Sequence, residues 1–131
     1  DMLAEIERQG LEGRVRFIGF VDDQDLPTLY SDATLYLFPS LYEGFGLPLL
    51  EAMQCGVPII TSNASCLPEV AGEAAVSLSP TNEQSWTATI EQLLANPQQR
   101  TQLVAAGFRQ ARRFTWDKAA HQLLQIYNNL L

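Results

Sequence analysis

Two carboxylates, Glu43 and Glu51, stand on either side of the run Gly44-Phe45-Gly46-Leu47-Pro48. Glycine at 44 and 46 removes the Cβ that would keep a ligand away from backbone N–H groups. Pro48 suits an early helical position, where its missing N–H would be unpaired in any case. A helix beginning here presents its amino terminus, a ready site for an anion, while the flanking carboxylates suit neutral hydroxyls better than phosphate. The ligand implied is a phosphate with sugar attached on one or both sides. A plainer reading is a strand-to-helix corner with two solvated glutamates, and a short glycine pattern alone does not exclude it.

The elements around the run favour the first reading. Residues 34–38 read as a buried strand, 47–55 as a helix and 57–61 as a second buried strand. That is a βαβ unit with its loop at the carboxyl end of the first strand, where open α/β sheets bind ligands. Further strands are expected at 15–20 and 74–78, and a turn at 67–70. Helices are expected at 2–9, 25–31, 82–95, 97–113 and 115–130, with Asn82 and Thr115 as N-caps. Strands alternating with helices predict an α/β fold, a doubly wound and mostly parallel Rossmann-like sheet with a helical C-terminal end.

At 131 residues the chain has the size of one domain with a substantial core. A hydrophobic share of 47% with 18% charged residues is that of a globular protein in water. The net charge of −7 and the single lysine, Lys118, argue against nucleic acid as a partner, because neutralising phosphates needs clustered Lys and Arg. Arg109, Arg112 and Arg113 read as the polar end of a helix. No apolar run reaches bilayer length and no basic, apolar leader opens the chain. Cys55 and Cys66 show neither a CxxC pair nor a metal spacing. A reducing, cytoplasmic setting is expected. His121, among Ala119, Ala120, Leu123 and Leu124, is expected to be a partly buried structural histidine.

The run Ser40-x-x-Glu43-Gly44-Phe45-Gly46-Leu47-Pro48-x-x-Glu51-Ala52-Met53 resembles the Glu-x7-Glu signature of the family-4 (group 1) retaining glycosyltransferases, which have the GT-B fold. Val15-Arg16-Phe17-Ile18-Gly19-Phe20-Val21 is similar to that family's nucleotide-loop strand. Cys55-Gly56-Val57-Pro58-Ile59-Ile60-Thr61-Ser62-Asn63 and Leu67-Pro68-Glu69-Val70-Ala71-Gly72 are similar to the strand and loop that follow. The resemblance runs in order over nearly the whole chain.

It covers only the second of the two Rossmann-like domains that this family pairs across a cleft, the one that binds the nucleotide-sugar donor. Residues 1–131 are therefore expected to form a single, partial donor-binding domain, a truncated GT-B C-terminal domain. The acceptor-binding N-terminal domain and the opening strands of this domain are expected to be missing. Those strands ordinarily carry a glycine turn and an Arg/Lys pair that grip the donor diphosphate, and no residue here takes that role. Any peripheral membrane contact is expected through the absent N-terminal domain.

The resemblance implies retaining transfer of a hexose, mannose among the candidates, from a nucleoside-diphosphate sugar to a glycan or lipid-linked acceptor. It implies Glu43 as the catalytic carboxylate, accepting hydrogen bonds from donor-sugar hydroxyls. Backbone at Gly44, Phe45, Gly46 and Leu47 is then expected to face phosphate and sugar. Glu51, two helical turns deeper, is expected to accept from the ribose hydroxyls, which a carboxylate holds more strongly than a neutral group. The base is expected near Phe20, Val21 and Asp23. No cofactor and no metal are expected for the transfer step. Asp23-Gln24-Asp25 spells the Asp-x-Asp of metal-dependent GT-A enzymes, but it follows a different strand pattern and sits at a helix start. Asp22 and Asp23 serve equally well there as helix caps. The alternatives are a stand-alone nucleotide-sugar-binding module or partner subunit without its own catalysis, and a degenerate, purely structural domain.

Overall fold

Alternating apolar runs, caps and glycine stops give the chain its order of helices and strands. The computed structural model describes residues 1–130. The helices are α1 (Met2–Arg8), α2 (Leu26–Asp32), α3 (Leu47–Gln54), α4 (Leu67–Ala71), α5 (Glu83–Ala95), α6 (Pro97–Ala111) and α7 (Trp116–Leu130). The strands are β1 (Tyr36–Phe38), β2 (Ile59–Ser62) and β3 (Ala75–Leu78), paired in parallel in that order. Tyr36, Leu37 and Phe38 lie opposite Ile59, Ile60 and Thr61, which in turn lie opposite Ala75, Val76 and Ser77. Parallel neighbours need a crossover, and α3 and α4 supply the two.

β2 is buried at all four residues, as a central strand covered on both faces must be. Ile59 packs in one cluster with Leu49, Met53, Leu67 and Val70, joined by Tyr36 and Phe38. Ile60, on the opposite face, packs with Trp86 and Leu93 of α5 and with Leu103 of α6. Helices therefore cover both faces of the sheet, the layering expected of the fold class. α6 packs on α3 at Gly107, where a Cβ would meet Met53 Cγ at 3.4 Å, an ordinary van der Waals distance. Gln110 Nε2 donates to the Val70 carbonyl at 2.9 Å and ties α6 to α4.

Three expectations are corrected. Residues 15–20 form no strand, and Phe20 is 88% exposed. A strand exists only where a neighbour satisfies its N–H and C=O groups; none of the three described strands pairs with this segment, and Gly19 holds φ +65° within it. Residues expected to turn at 67–70 make the short helix α4, which Gly72 ends at φ +52°. His121 is exposed on α7, with its ring nitrogen 2.7 Å from the Asp117 carbonyl. The expected caps are present: Asn82 accepts from the Ser85 amide at 3.1 Å and Thr115 from the Lys118 amide at 3.2 Å. Asp25 stands at the N-cap of α2 without a side-chain capping bond, and the Asp22 carbonyl accepts from the Asp25 and Leu26 amides instead.

Candidate functional site

The loop of residues 39–46 leaves the carboxyl end of β1 and enters α3 at Gly46, which is buried at φ +89°. A Cβ at Gly46 would lie 2.7 Å from Leu67 Cδ2, so only glycine fits both the conformation and the space. Gly44 differs: its φ is ordinary and no atom stands within 4 Å of a Cβ built there. The fold demands glycine at 46 and leaves open space at 44. Among the described residues the amides of Gly44, Phe45 and Gly46 meet no protein acceptor. Leu47 opens the helix, Pro48 follows within the first turn, and no side chain caps this end.

Hydroxyl groups from β2 and the loop after it fix the position of Glu43. Thr61 Oγ1 donates to the Phe38 carbonyl at 3.3 Å, and buried Ser62 donates from Oγ to the Ser40 carbonyl. Ser65 Oγ donates to the Glu43 carbonyl at 2.8 Å and accepts from its amide at 3.4 Å. Cys66 Sγ donates to the same carbonyl at 3.3 Å. Ser65 holds φ +56°, a left-handed conformation uncommon for a residue with a Cβ. Ser40 Oγ donates to Glu43 Oε1 at 2.8 Å, which leaves Oε2 without a protein partner among the described residues. The Phe45 ring, 43% exposed, stands edge-on to Phe114 with centroids 5.9 Å apart and pins the loop from the α6 side.

Glu51 is the fifth residue of α3, just past its first turn rather than two turns in. It lines a hollow of about 280 Å³ together with Asp23, Leu26, Pro27, Tyr30, Gln54 and Cys55. Tyr30 donates its hydroxyl proton to Glu51 Oε2 at 3.2 Å. Burial first, and then the Glu51 charge, push the Tyr30 phenol up from its ordinary value and do the same to the Cys55 thiol. Tyr36 is also raised, by burial, by Tyr30 and then by both Glu51 and Glu43.

Of the residues singled out in the sequence, Asp23 and Glu51 share the hollow. Glu43, Gly44, Phe45, Gly46 and Leu47 form the adjoining loop and do not line it, and neither does Val21. Tyr30, Ser62 and Ser65 were not singled out for any part in the site. A second hollow of about 420 Å³, lined by Thr34, Pro58, Arg100 and Val104, opens at the amino ends of β1 and β2. Its Arg100 guanidinium donates to the Leu93 and Leu94 carbonyls and closes the end of α5. By contrast, the amides of Gly44, Phe45 and Gly46 meet no protein acceptor among the described residues, and Glu43 and Glu51 each keep one oxygen without a partner there. These groups offer donors to an anion and acceptors to hydroxyls.

The pattern of the family described as "Glycosyl transferases group 1" matches residues 2–110. The chain is 43% identical over 125 residues to O-antigen chain mannosyltransferase B of Escherichia coli, covering 95% of this chain and 33% of that protein. It thus spans about a third of the length of this curated relative. Among solved structures, HepE of Anabaena in complex with UDP superposes with a TM-score of 0.88 at 26% identity, over 98% of this chain and 36% of that one. The C-terminal domain of a glycosyl transferase group 1 family protein (LpcC) from Francisella tularensis superposes with a TM-score of 0.75 at 26% identity. That match covers 86% of this chain and 59% of that domain. Among the described residues no helix is long and apolar enough to cross a membrane.

Proposed function

The chain belongs to the group 1 glycosyl transferases, and from that premise we propose that it is part of the donor-binding domain of a retaining hexosyltransferase. The donor is a nucleoside-diphosphate sugar, with mannose as the first candidate for the hexose because the similar Escherichia coli protein is named a mannosyltransferase. The acceptor is a glycan or a lipid-linked glycan. The observation that carries the reading is the loop and the helix it enters, where the amides of residues 44–46 meet no acceptor and Glu43 and Glu51 each keep one oxygen without a partner among the described residues. In transfer, negative charge grows on the departing diphosphate, and preorganised N–H donors lower that barrier. Gly44, Phe45, Gly46 and Leu47 supply such donors at the start of α3. Glu43 accepts from hexose hydroxyls, Glu51 from the ribose, and Asp23 and Val21 border the base. The transfer step uses no metal; the basic pair expected in the opening strands completes the charge.

Those strands and the acceptor-binding domain belong, in this reading, to a longer protein. Two features support it. Residues 16–20 form no backbone hydrogen bond among the described residues, and the outer edge of β1 has no strand beside it among those described. Unpaired edges of this kind are normally covered.

Titration of the full-length protein with UDP- and GDP-hexoses tests the proposal. Saturable binding of one of them, with release of the nucleoside diphosphate on adding acceptor, supports it. Absence of binding to either would leave a structural domain. Binding without turnover would leave a sensor or partner subunit.

A further inference from the structure

We propose that Tyr30 is a positioning residue for Glu51, fixing which carboxylate oxygen remains for the ribose hydroxyls; this rests on the donor-binding reading above. The Tyr30 hydroxyl ends on the only carboxylate of α3, 3.2 Å from Oε2, and both side chains line the same hollow. An exposed glutamate on a helix otherwise samples several rotamers, and ordering it when ligand arrives costs affinity. Tyr30 is itself held in place. Its ring stands edge-on to Tyr36, with centroids 5.2 Å apart and planes at 87°, and Tyr36 stacks on Phe38 at 5.9 Å. A line of aromatic rings thus runs from β1 to the hollow and ends on the carboxylate. With Oε2 held, Oε1 is left without a partner among the described residues. Burial and the Glu51 charge keep the phenol protonated, so Tyr30 remains a donor throughout the neutral range.

The test is a double-mutant cycle in the full-length protein, with UDP and GDP as probes in calorimetric titration. Tyr30→Phe keeps the ring and removes the donor; Glu51→Ala removes both acceptor oxygens. Tyr30→Phe is expected to weaken nucleotide binding about three- to tenfold, the range of one hydrogen bond. KM for the donor is expected to rise with kcat and melting temperature unchanged. In the Glu51→Ala background the same substitution is expected to cost nothing further. An equal loss in both backgrounds overturns the proposal, because Tyr30 then acts independently of Glu51. A lowered melting temperature with unchanged affinity overturns it in favour of packing alone. If Glu51→Ala costs nothing where the wild type binds, the ribose role and this proposal fall together. If the wild type binds neither nucleotide, the donor-binding reading itself is what fails.

Discussion

Glu43 hangs from a loop whose backbone is held by Ser65 and Cys66, whereas Glu51 rides on a helix and is held by one phenol. The difference separates their expected effects. Glu51→Ala should weaken nucleotide affinity about ten- to a hundredfold, the range of hydrogen bonds to a charged group, measured by titration. Glu43→Ala should leave nucleotide affinity nearly unchanged and lower kcat about a hundredfold or more, as for other groups that act in the transition state. The two glycines separate as sharply. Gly46→Ala forces a Cβ into the left-handed region and against Leu67, and should cost about 2 kcal/mol or more in urea unfolding. Gly44→Ala enters open space and should leave stability within about 0.5 kcal/mol, with its effect confined to donor binding. The carboxylates and glycines were legible because they lie within nine residues of one another in sequence. Ser65 was not, because nothing about a serine announces φ +56° or a contact with a residue 22 positions away. Tyr30 sits at a helical spacing that reads as packing, and only the approach of α2 to α3 gives its hydroxyl an acceptor.

Crossover order and the buried character of β2 follow directly from an unbroken apolar run between two helical stretches, and these were readable. The strand limits were not. β1 begins at Tyr36 and β2 at Ile59, about two residues later than the apolar runs suggest, because pairing and not hydrophobicity decides where a ladder starts. The same distinction explains residues 15–20, whose β-branched and aromatic content signals a strand that no described neighbour completes. Gln110 is the element-level joint that composition hides, a polar residue buried between α6 and α4. Gln110→Ala removes its bond and leaves the Val70 carbonyl unpaired, which should cost about 1–3 kcal/mol, read as a shift of the urea midpoint. Because α4 also presents Leu67 to Gly46, that change should loosen the loop and weaken donor binding as well.

Taken as one body, the chain carries −7 net charge and gathers its raised phenols and thiol on one side of α3. The sign of their effect on stability is fixed. The unfolded phenols begin to lose protons near their ordinary value of 10.0, while the folded ones hold theirs to higher pH. Stability is therefore fully present below that value and falls as pH rises through it. Tyr36→Phe should make the loss above pH 10 shallower in denaturant titrations at stepped pH, and have no such effect on the slope between pH 6 and pH 8. α7 buries no side chain and exposes Leu123, Leu124, Ile126 and Tyr127. The most direct measurement is a structure of the full-length protein with a UDP- or GDP-hexose bound. Ribose hydroxyls within hydrogen-bond reach of Glu51, hexose hydroxyls at Glu43 and diphosphate against the amides of residues 44–47 are the expected result. A nucleotide seated at the Arg100 hollow, or touching neither carboxylate, would contradict the account.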